Sequence, residues 1–375
     1  LTETDVLVVG GGVIGLCTAL ELRREGRQVL VVERREVGAG ASGNNAGSCA
    51  IQNKLLPLVS PAREAVQMWQ AYQDELAREG LDVDYTRSGG FRIAENADQV
   101  DDLKQVMAAQ RALGTPVDFL TGAEARAAAP YLGPSVLAAT WCPEDGFCDV
   151  LHSLKALNIA LRRRGGTIWT RTEVTGVGHD GAGLRVETSR GPVRAGRVVI
   201  CTGIWAKDMA EMLRAPMPLV VRINILTATL RVAPVMHHIV THASHKLTIK
   251  QLKLGTVLIG GGWQGRGDYR TYTVWPEPVN LGLNWQMAVR AVPALAHLEI
   301  LRTWAGIEGR SIDDMPLIGP VPGLPGAYIG VVCPGGWTIG PFIARCLADM
   351  VRTGAVPKAL ERFDPARYAG APRPA

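Results

Sequence analysis

The run Gly10-Gly11-Gly12-Val13-Ile14-Gly15 follows four apolar residues, 6–9, and opens into a helical pattern over 16–24. A second apolar run, 29–32, ends in the acid Glu33. In that setting Gly10 lets the chain turn sharply after a strand, Gly12 leaves room for a pyrophosphate against the backbone, and Gly15 lets the helix lie close to the sheet. The helix N-terminus then faces phosphate charge, and Glu33 is placed to accept from the ribose hydroxyls of an adenosine. The chemistry is dinucleotide binding. The strand-turn-helix-strand context separates it from a bare glycine pattern.

Other segments are read against that anchor. Residues 38–47, Gly-Ala-Gly-Ala-Ser-Gly-Asn-Asn-Ala-Gly, are small and turn-forming and can wrap a ligand closely. Val66, Trp69, Tyr72 and Leu76 recur at helical spacing within a helix expected over 61–79, which points to core. His237, His238, His242 and His245 crowd together and suggest a metal, but they form no helical i, i+4 pair with a carboxylate, and their surroundings read as strand and loop. No metal is expected; substrate contact or a subunit surface is. The cysteines, Cys17, Cys49, Cys142, Cys148, Cys201, Cys333 and Cys346, are odd in number and scattered without a C-x-x-C, so reduced thiols are expected. An iron-sulfur cluster would have to sit on another chain.

These residues need elements to position them. At 375 residues the chain has room for two joined domains or one large α/β unit. A net charge of +5 is dispersed, without aromatic residues interleaved in a basic stripe, which argues against nucleic acid. No stretch is apolar for long enough to cross a bilayer, and the first strand begins too early for a signal peptide in front of it, so a cytoplasmic protein is expected, with membrane-peripheral association through its electron acceptor as the alternative. Helices are expected over 97–112, 149–164 and 279–291, and strands over 167–177, 184–188, 192–194, 198–200, 219–232, 257–260, 297–304 and 327–332. The pattern divides into a nucleotide domain of 1–85, 145–215 and 306–375 and a β-rich substrate domain of 86–144 and 216–305. The expected fold class is α/β, a Rossmann-type dinucleotide-binding domain with an inserted mixed β-sheet substrate domain.

In this order the pieces resemble the FAD-dependent amine oxidoreductases of the glycine oxidase, sarcosine oxidase and D-amino acid dehydrogenase superfamily, over nearly the whole chain. Four matches carry the resemblance: 10–15 with Glu33, the wrap at 41–47, Val199-Ile200-Cys201-Thr202-Gly203 with Trp205, and Arg302-Thr303-Trp304-Ala305-Gly306 leading into 313–319. Within that group the chain is most similar to catalytic subunits of heteromeric dehydrogenases for opines and hydroxyproline and of hydrogen cyanide synthase. The segment from His242-Ala243-Ser244-His245 through Gly260-Gly261-Gly262-Trp263-Gln264-Gly265 looks most like the opine enzymes.

The resemblance implies FAD contacts from Gly10, Gly12, Val13, Ile14, Gly15, Glu33, Arg34, Ala41, Ser42, Asn45, Ala46, Gly47, Val174, Cys201, Thr202, Gly203 and Trp205. Gly335, Gly336, Trp337, Thr338 and Ile339 would present a helix N-terminus to the flavin pyrimidine, where reduction places negative charge. It also implies a larger nucleotide-binding subunit, a small iron-sulfur subunit, and FMN between subunits. Some sarcosine oxidases attach flavin through a cysteine in a different C-terminal context from Cys333. Non-covalent binding is therefore favoured here, with the covalent alternative open.

One departure concerns the substrate. Relatives that oxidise simple α-amino acids carry an arginine after the Ala-Gly pair to clamp the carboxylate, where this chain reads Gly306-Ile307-Glu308-Gly309-Arg310. An acid repels a carboxylate and attracts a cation, with about 4 kcal/mol between unit charges ~4 Å apart at an effective dielectric of 20. Glu308 is therefore expected to face a cationic amine or guanidinium, with Arg310 or Arg222 on a carboxylate. Catalytic candidates are Glu308, Thr338 and Lys250, and further substrate contacts are Ser48, Thr248, Trp263 and Arg310. The expected reaction is hydride transfer from the CH–NH carbon of a secondary amine such as an opine to flavin N5, giving an imine that water hydrolyses, without a dedicated side-chain base. Rival readings are a stand-alone oxidase releasing peroxide and a non-catalytic flavoprotein scaffold.

Overall fold

The computed structural model describes residues 1–181, 183–331 and 334–368, so Val332, which would end the last expected strand, and Cys333 lie outside the described residues. Five parallel strands form the centre of the first sheet, in the spatial order Thr167–Trp169, Val29–Val32, Thr2–Val9, Val193–Ile200 and Ala327–Val331. Val174–Asp180 and Gly183–Thr188 add antiparallel to the first half of Val193–Ile200, and Leu317–Pro320 pairs antiparallel with Ala327–Val331.

Side chains alternate across this sheet. Val6, Val8, Val29 and Val31 join a core with the helices Val13–Arg24, Leu56–Ala77, Val150–Arg163 and Gly336–Thr353, whereas Leu7, Val9, Leu30 and Val32 join the core on the other face. Burial on both faces demands an uninterrupted apolar strand, which is why 6–9 and 29–32 lack polar residues. Asp149 ends one strand-helix connection by accepting from the backbone N–H groups of Leu151 and His152, at 2.9 and 3.2 Å. The helix expected from Pro61 begins a turn earlier, at Leu56, and carries Pro61 inside it. The helix after the glycine turn likewise begins earlier, at Val13.

The second sheet is mixed. Its order is Ile300–Ser311, Leu219–Arg231, Thr256–Gly260, Thr248–Gln251, Ile239–His242, Gly90–Ala94, Ala138–Cys142 and Asp118–Thr121. Its parallel pair, Ile239–His242 beside Gly90–Ala94, joins strands from two distant stretches of sequence. The expected boundary at residue 306 falls inside the strand Ile300–Ser311, which carries Glu308 and Arg310 on one edge of this sheet. Among the described residues no helix is long and apolar enough to cross a membrane.

Candidate active site

The parallel strands point their carboxyl ends at one cleft, the position at which open α/β sheets hold ligands. Its volume is about 830 Å³, in the upper part of the roughly 300–1,000 Å³ range of small-molecule sites. Gly10 has φ +110°, and a Cβ there would stand 2.5 Å from the Cys201 carbonyl oxygen. A Cβ on Gly15 would stand 1.9 Å from the Gly10 oxygen. Only glycine lets these two strand ends and the helix meet. Opposite Gly12, the Ser42 hydroxyl accepts from the Val13 N–H at 3.0 Å. Glu33 is fixed in the wall because its carboxylate accepts from the N–H groups of Gly11 and Arg35, at 2.8 and 2.7 Å.

The wrap braces itself. Asn44 donates to the carbonyls of Ala39 and Gly40, while Asn45 donates to the Ser42 carbonyl and accepts from the Gly47 N–H at 2.6 Å. Of the expected cofactor contacts, Gly10, Gly12, Val13, Ile14, Glu33, Arg34, Ala41, Ser42, Asn45, Ala46, Val174, Cys201, Thr202, Gly203, Trp205, Gly335, Gly336, Trp337 and Thr338 line the cleft. Gly15, Gly47 and Ile339 stand behind it. Gly47 makes a turn with φ +69° against the Cys148 carbonyl, and Ile339 is core.

At the far end of the cleft Gly335, with φ +87°, starts the helix Gly336–Thr353. Its first-turn N–H groups have no partner within the helix, so they can take up negative charge on a bound ring system. Thr338 donates its hydroxyl to the Ser48 carbonyl at 2.8 Å, and Trp337 stacks on Trp69 at 5.2 Å with 13° between planes. Trp69 donates its indole N–H to the Trp337 carbonyl at 3.2 Å and so supports this turn from the core side. A backbone cradle that a Cβ would fill at one end, and a helix N-terminus at the other, fit a dinucleotide that carries a redox-active ring.

The second sheet closes the cleft over that end. Gly306 brings its strand so near the wrap that a Cβ would stand 2.6 Å from the Asn44 oxygen. Two residues further along, the Glu308 carboxylate accepts from the Asn224 amide, and Asn224 accepts in turn from Gln264 at 2.7 Å. The wall formed by residues 48–55, 222–310 and 330–338 carries four cations, Lys54, Arg222, Lys246 and Arg310, and one acid, Glu308. Arg310 is paired with Asp314 at 2.8 Å. Lys54 lies against Gly335, where a Cβ would approach its Nζ to 3.1 Å. Burial holds the Lys54 ammonium below its ordinary pKa, while Asp145 and Glu308 oppose that shift.

Thr248 and Ser48 line the cleft as expected contacts, but Lys250 and Trp263 do not. Lys250 is wholly buried behind Ser48 and donates to its hydroxyl at 3.0 Å; burial lowers its pKa to about 7. Trp263 turns its indole N–H to the Lys246 carbonyl at 2.7 Å. Lys54, Asn224, Gln264 and Tyr272 were not singled out from the sequence, since nothing local distinguishes them from ordinary polar positions.

The crowded histidines separate in space. His238 sits among Phe91, Tyr131 and Trp141, and His242 lies 3.4 Å from Glu95 and bonds to Ser244. His245, on the cleft wall, takes a hydrogen bond from Arg92 at 2.9 Å. Loss of water on its Arg92 side, and that guanidinium, lower its pKa to about 4, so the ring is neutral at pH 7. Among the described residues the grouping of metal-ligating atoms is elsewhere, at Asp84, Asp149 and His152, and Lys253 already pairs with Asp84 at 2.7 Å.

Comparison with known proteins gives this cleft its family. The model of the FAD dependent oxidoreductase family matches residues 5–350. Glycine oxidase of Geobacillus kaustophilus is 27% identical, with 98% of this chain and 97% of that protein covered. An opine oxidase subunit of Rhizobium meliloti is 24% identical, with 98% of each covered. The crystal structure of L-proline dehydrogenase from P. horikoshii superposes with a TM-score of 0.89 at 25% identity, covering 98% of both chains. The chain thus belongs to the FAD dependent oxidoreductase family, as an enzyme that uses FAD to oxidise the CH–NH or CH–NH2 group of amines or amino acids.

Proposed function

We propose that this chain is the FAD-bearing dehydrogenase subunit of a heteromeric enzyme that oxidises a secondary amine bearing more than one carboxylate, of the opine type. A wall that carries four cations and one acid is the observation that carries this reading. A simple amino acid offers one carboxylate and one ammonium. An opine offers two carboxylates or more and a further polar or cationic arm, which uses several cations and a carboxylate at once. In this reading electrons pass to partner subunits, a larger nucleotide-binding chain and a small iron-sulfur protein, with FMN at their interface. A relative of matching length is named as one subunit of an opine oxidase, which supports an assembly of that kind. Free thiols at the six described cysteines support a cytoplasmic setting.

Bound FAD supplies the acceptor for the hydride that leaves the substrate carbon. The chain's own residues hold the substrate. Lys54 takes a carboxylate next to the helix start at Gly335, and Glu308 with Asn224 holds the amine or guanidinium. Arg222 and Lys246 remain for a second carboxylate, with Arg310 anchored by Asp314. The substrate ammonium must lose its proton before its carbon can be oxidised, and a cationic wall eases that loss. Water hydrolyses the resulting imine without a side-chain base.

Full-length coverage of a glycine oxidase supports a second reading, a stand-alone oxidase that reduces oxygen to peroxide. Anaerobic titration of the purified protein with opines, N-methyl amino acids, prolines and glycine, followed by flavin absorbance, tests the substrate. Opines should bleach the flavin at the lowest concentrations; preference for glycine or sarcosine overturns the assignment. Peroxide release in air marks the oxidase, and dye reduction without peroxide marks the dehydrogenase.

A further inference from the structure

At the adenosine end of the cleft the wall is completed by the second sheet's side of the molecule. Residues 266–275 form a hairpin, Arg266–Asp268 paired with Thr273–Trp275, and the hairpin reaches across to the nucleotide side. Tyr272, in its turn, lies flat on Trp205, with centroids 4.7 Å apart and 14° between planes. Both rings line the cleft, near Glu33, Arg34 and Val174. Trp205 also packs on the wrap, where a Cβ on Gly40 would meet the indole at 3.0 Å.

Two guanidinium groups complete the stack. Arg35 stands 3.9 Å from the centre of the Tyr272 ring, and Arg34 lies beside the stack, 5.4 and 5.5 Å from the centres of Trp205 and Tyr272, while donating to the tyrosine hydroxyl at 3.2 Å. A second tether runs from the buried Tyr269, behind the cleft wall, which donates its hydroxyl at 2.7 Å to Asp208, a residue of that wall. The hairpin is built for this reach. Gly267 passes so close to the opposite arm that a Cβ would stand 2.1 Å from the Thr273 oxygen. Tyr272 holds φ +59°, a left-handed conformation costly for a bulky aromatic residue. Such a conformation persists where surrounding contacts over-determine it, and here those contacts are Trp205, Arg34 and Arg35.

We propose that residues 266–275 are a latch over the adenosine half of the FAD cleft, closed by Tyr272 on Trp205 and Tyr269 on Asp208, and that FAD enters and leaves when this hairpin lifts. The latch acts on cofactor retention and is independent of which amine is oxidised. The closed stack removes the adenosine end from solvent and slows release, and opening exchanges the Trp205 contact for water.

Release of flavin from the diluted holoprotein, read as the rise in flavin fluorescence, tests this in the parent, Tyr272→Ala, Tyr272→Phe and Tyr269→Phe. Tyr272→Ala should release FAD at least 10-fold faster, with an unchanged flavin absorbance spectrum and unchanged circular dichroism of the apoprotein. Tyr272→Phe keeps the stack and should stay within about 3-fold of the parent. Tyr269→Phe leaves the Tyr272–Trp205 stack untouched but cuts the second tether, so it should also speed release, by 3-fold or more. Parental release from Tyr272→Ala overturns the latch. Faster release from Tyr272→Ala alone, with Tyr269→Phe at the parental rate, also overturns it, because Tyr272 would then be a fixed contact and the hairpin would not move as a unit.

Discussion

Lys250 donates from its ammonium to the Ser48 hydroxyl at 3.0 Å, so a lysine without exposed surface is joined to a residue of the cleft wall. Thr248 and Lys250 share one face of the strand Thr248–Gln251, as the two-residue repeat requires. Thr248 reaches the cleft, while Lys250 is covered by Ser48.

Lys250 gives the fold a pH dependence. In the unfolded chain it keeps its proton to about 10.5, and in the folded protein burial makes it give the proton up near 7. Unfolding therefore takes up a proton between these values, and stability rises with pH across that window by up to ~1.4 kcal/mol per pH unit. Lys250→Met should remove this slope and be the more stable protein below pH 7. Urea unfolding of parent and variant at pH 6, 7.5 and 9 measures it; parallel pH profiles would place the lysine in water.

Gly10→Ala should cost more than a typical point substitution. The added methyl group would stand 2.5 Å from the Cys201 oxygen on a backbone at φ +110°, so both a clash and a forbidden conformation must be relieved, at about 3 kcal/mol or more. Thermal melting should fall, and the purified variant should carry little or no flavin. A yellow protein with parental melting would mean that the two strand ends can separate without loss of the cradle.

That turn was legible because its signal is local. Gly10, Gly12, Gly15 and Glu33 sit at fixed offsets in a strand-turn-helix-strand unit, and their chemistry follows from spacing. Apolar runs at 6–9 and 29–32 announced a sheet buried on both faces for the same reason. Lys54 and Tyr272 had no such signal. Lys54 matters through its approach to Gly335, and Tyr272 through Trp205, both contacts between distant segments. Trp263 lies off the cleft lining, with its indole N–H on the Lys246 carbonyl, because an aromatic residue beside Gly260-Gly261-Gly262 suits packing as well as it suits a cleft. The expected boundary at 306 lies within the strand Ile300–Ser311, whose extent rests on pairing with the distant strand Leu219–Arg231.

Lys54→Met tests the carboxylate anchor. Loss of one charged hydrogen bond to the substrate should raise KM about 10- to 100-fold for every carboxylated amine. FAD content and melting temperature should hold, because the lysine is half-buried with a lowered pKa and methionine fills similar space. A KM within 2-fold of the parent would move the anchor to the arginines or to Lys246.

Glu308→Gln should change both affinity and pH dependence, in opposite-looking ways that together identify its role. The carboxylate shares the cleft wall with four cations and favours a protonated substrate amine near it, so it raises the pKa of the bound ammonium. Flavin reduction under anaerobic stopped flow should rise with pH in the parent as that proton leaves. In Glu308→Gln the rising limb should move to lower pH by about one to two units, while KM increases about 10-fold. The glutamine keeps an acceptor for the Asn224 amide, so the wall should stay in place and FAD affinity should not change. A limb at its parental position with unchanged KM would remove Glu308 from the substrate, whereas a flat profile in the parent would show that the amine arrives already neutral.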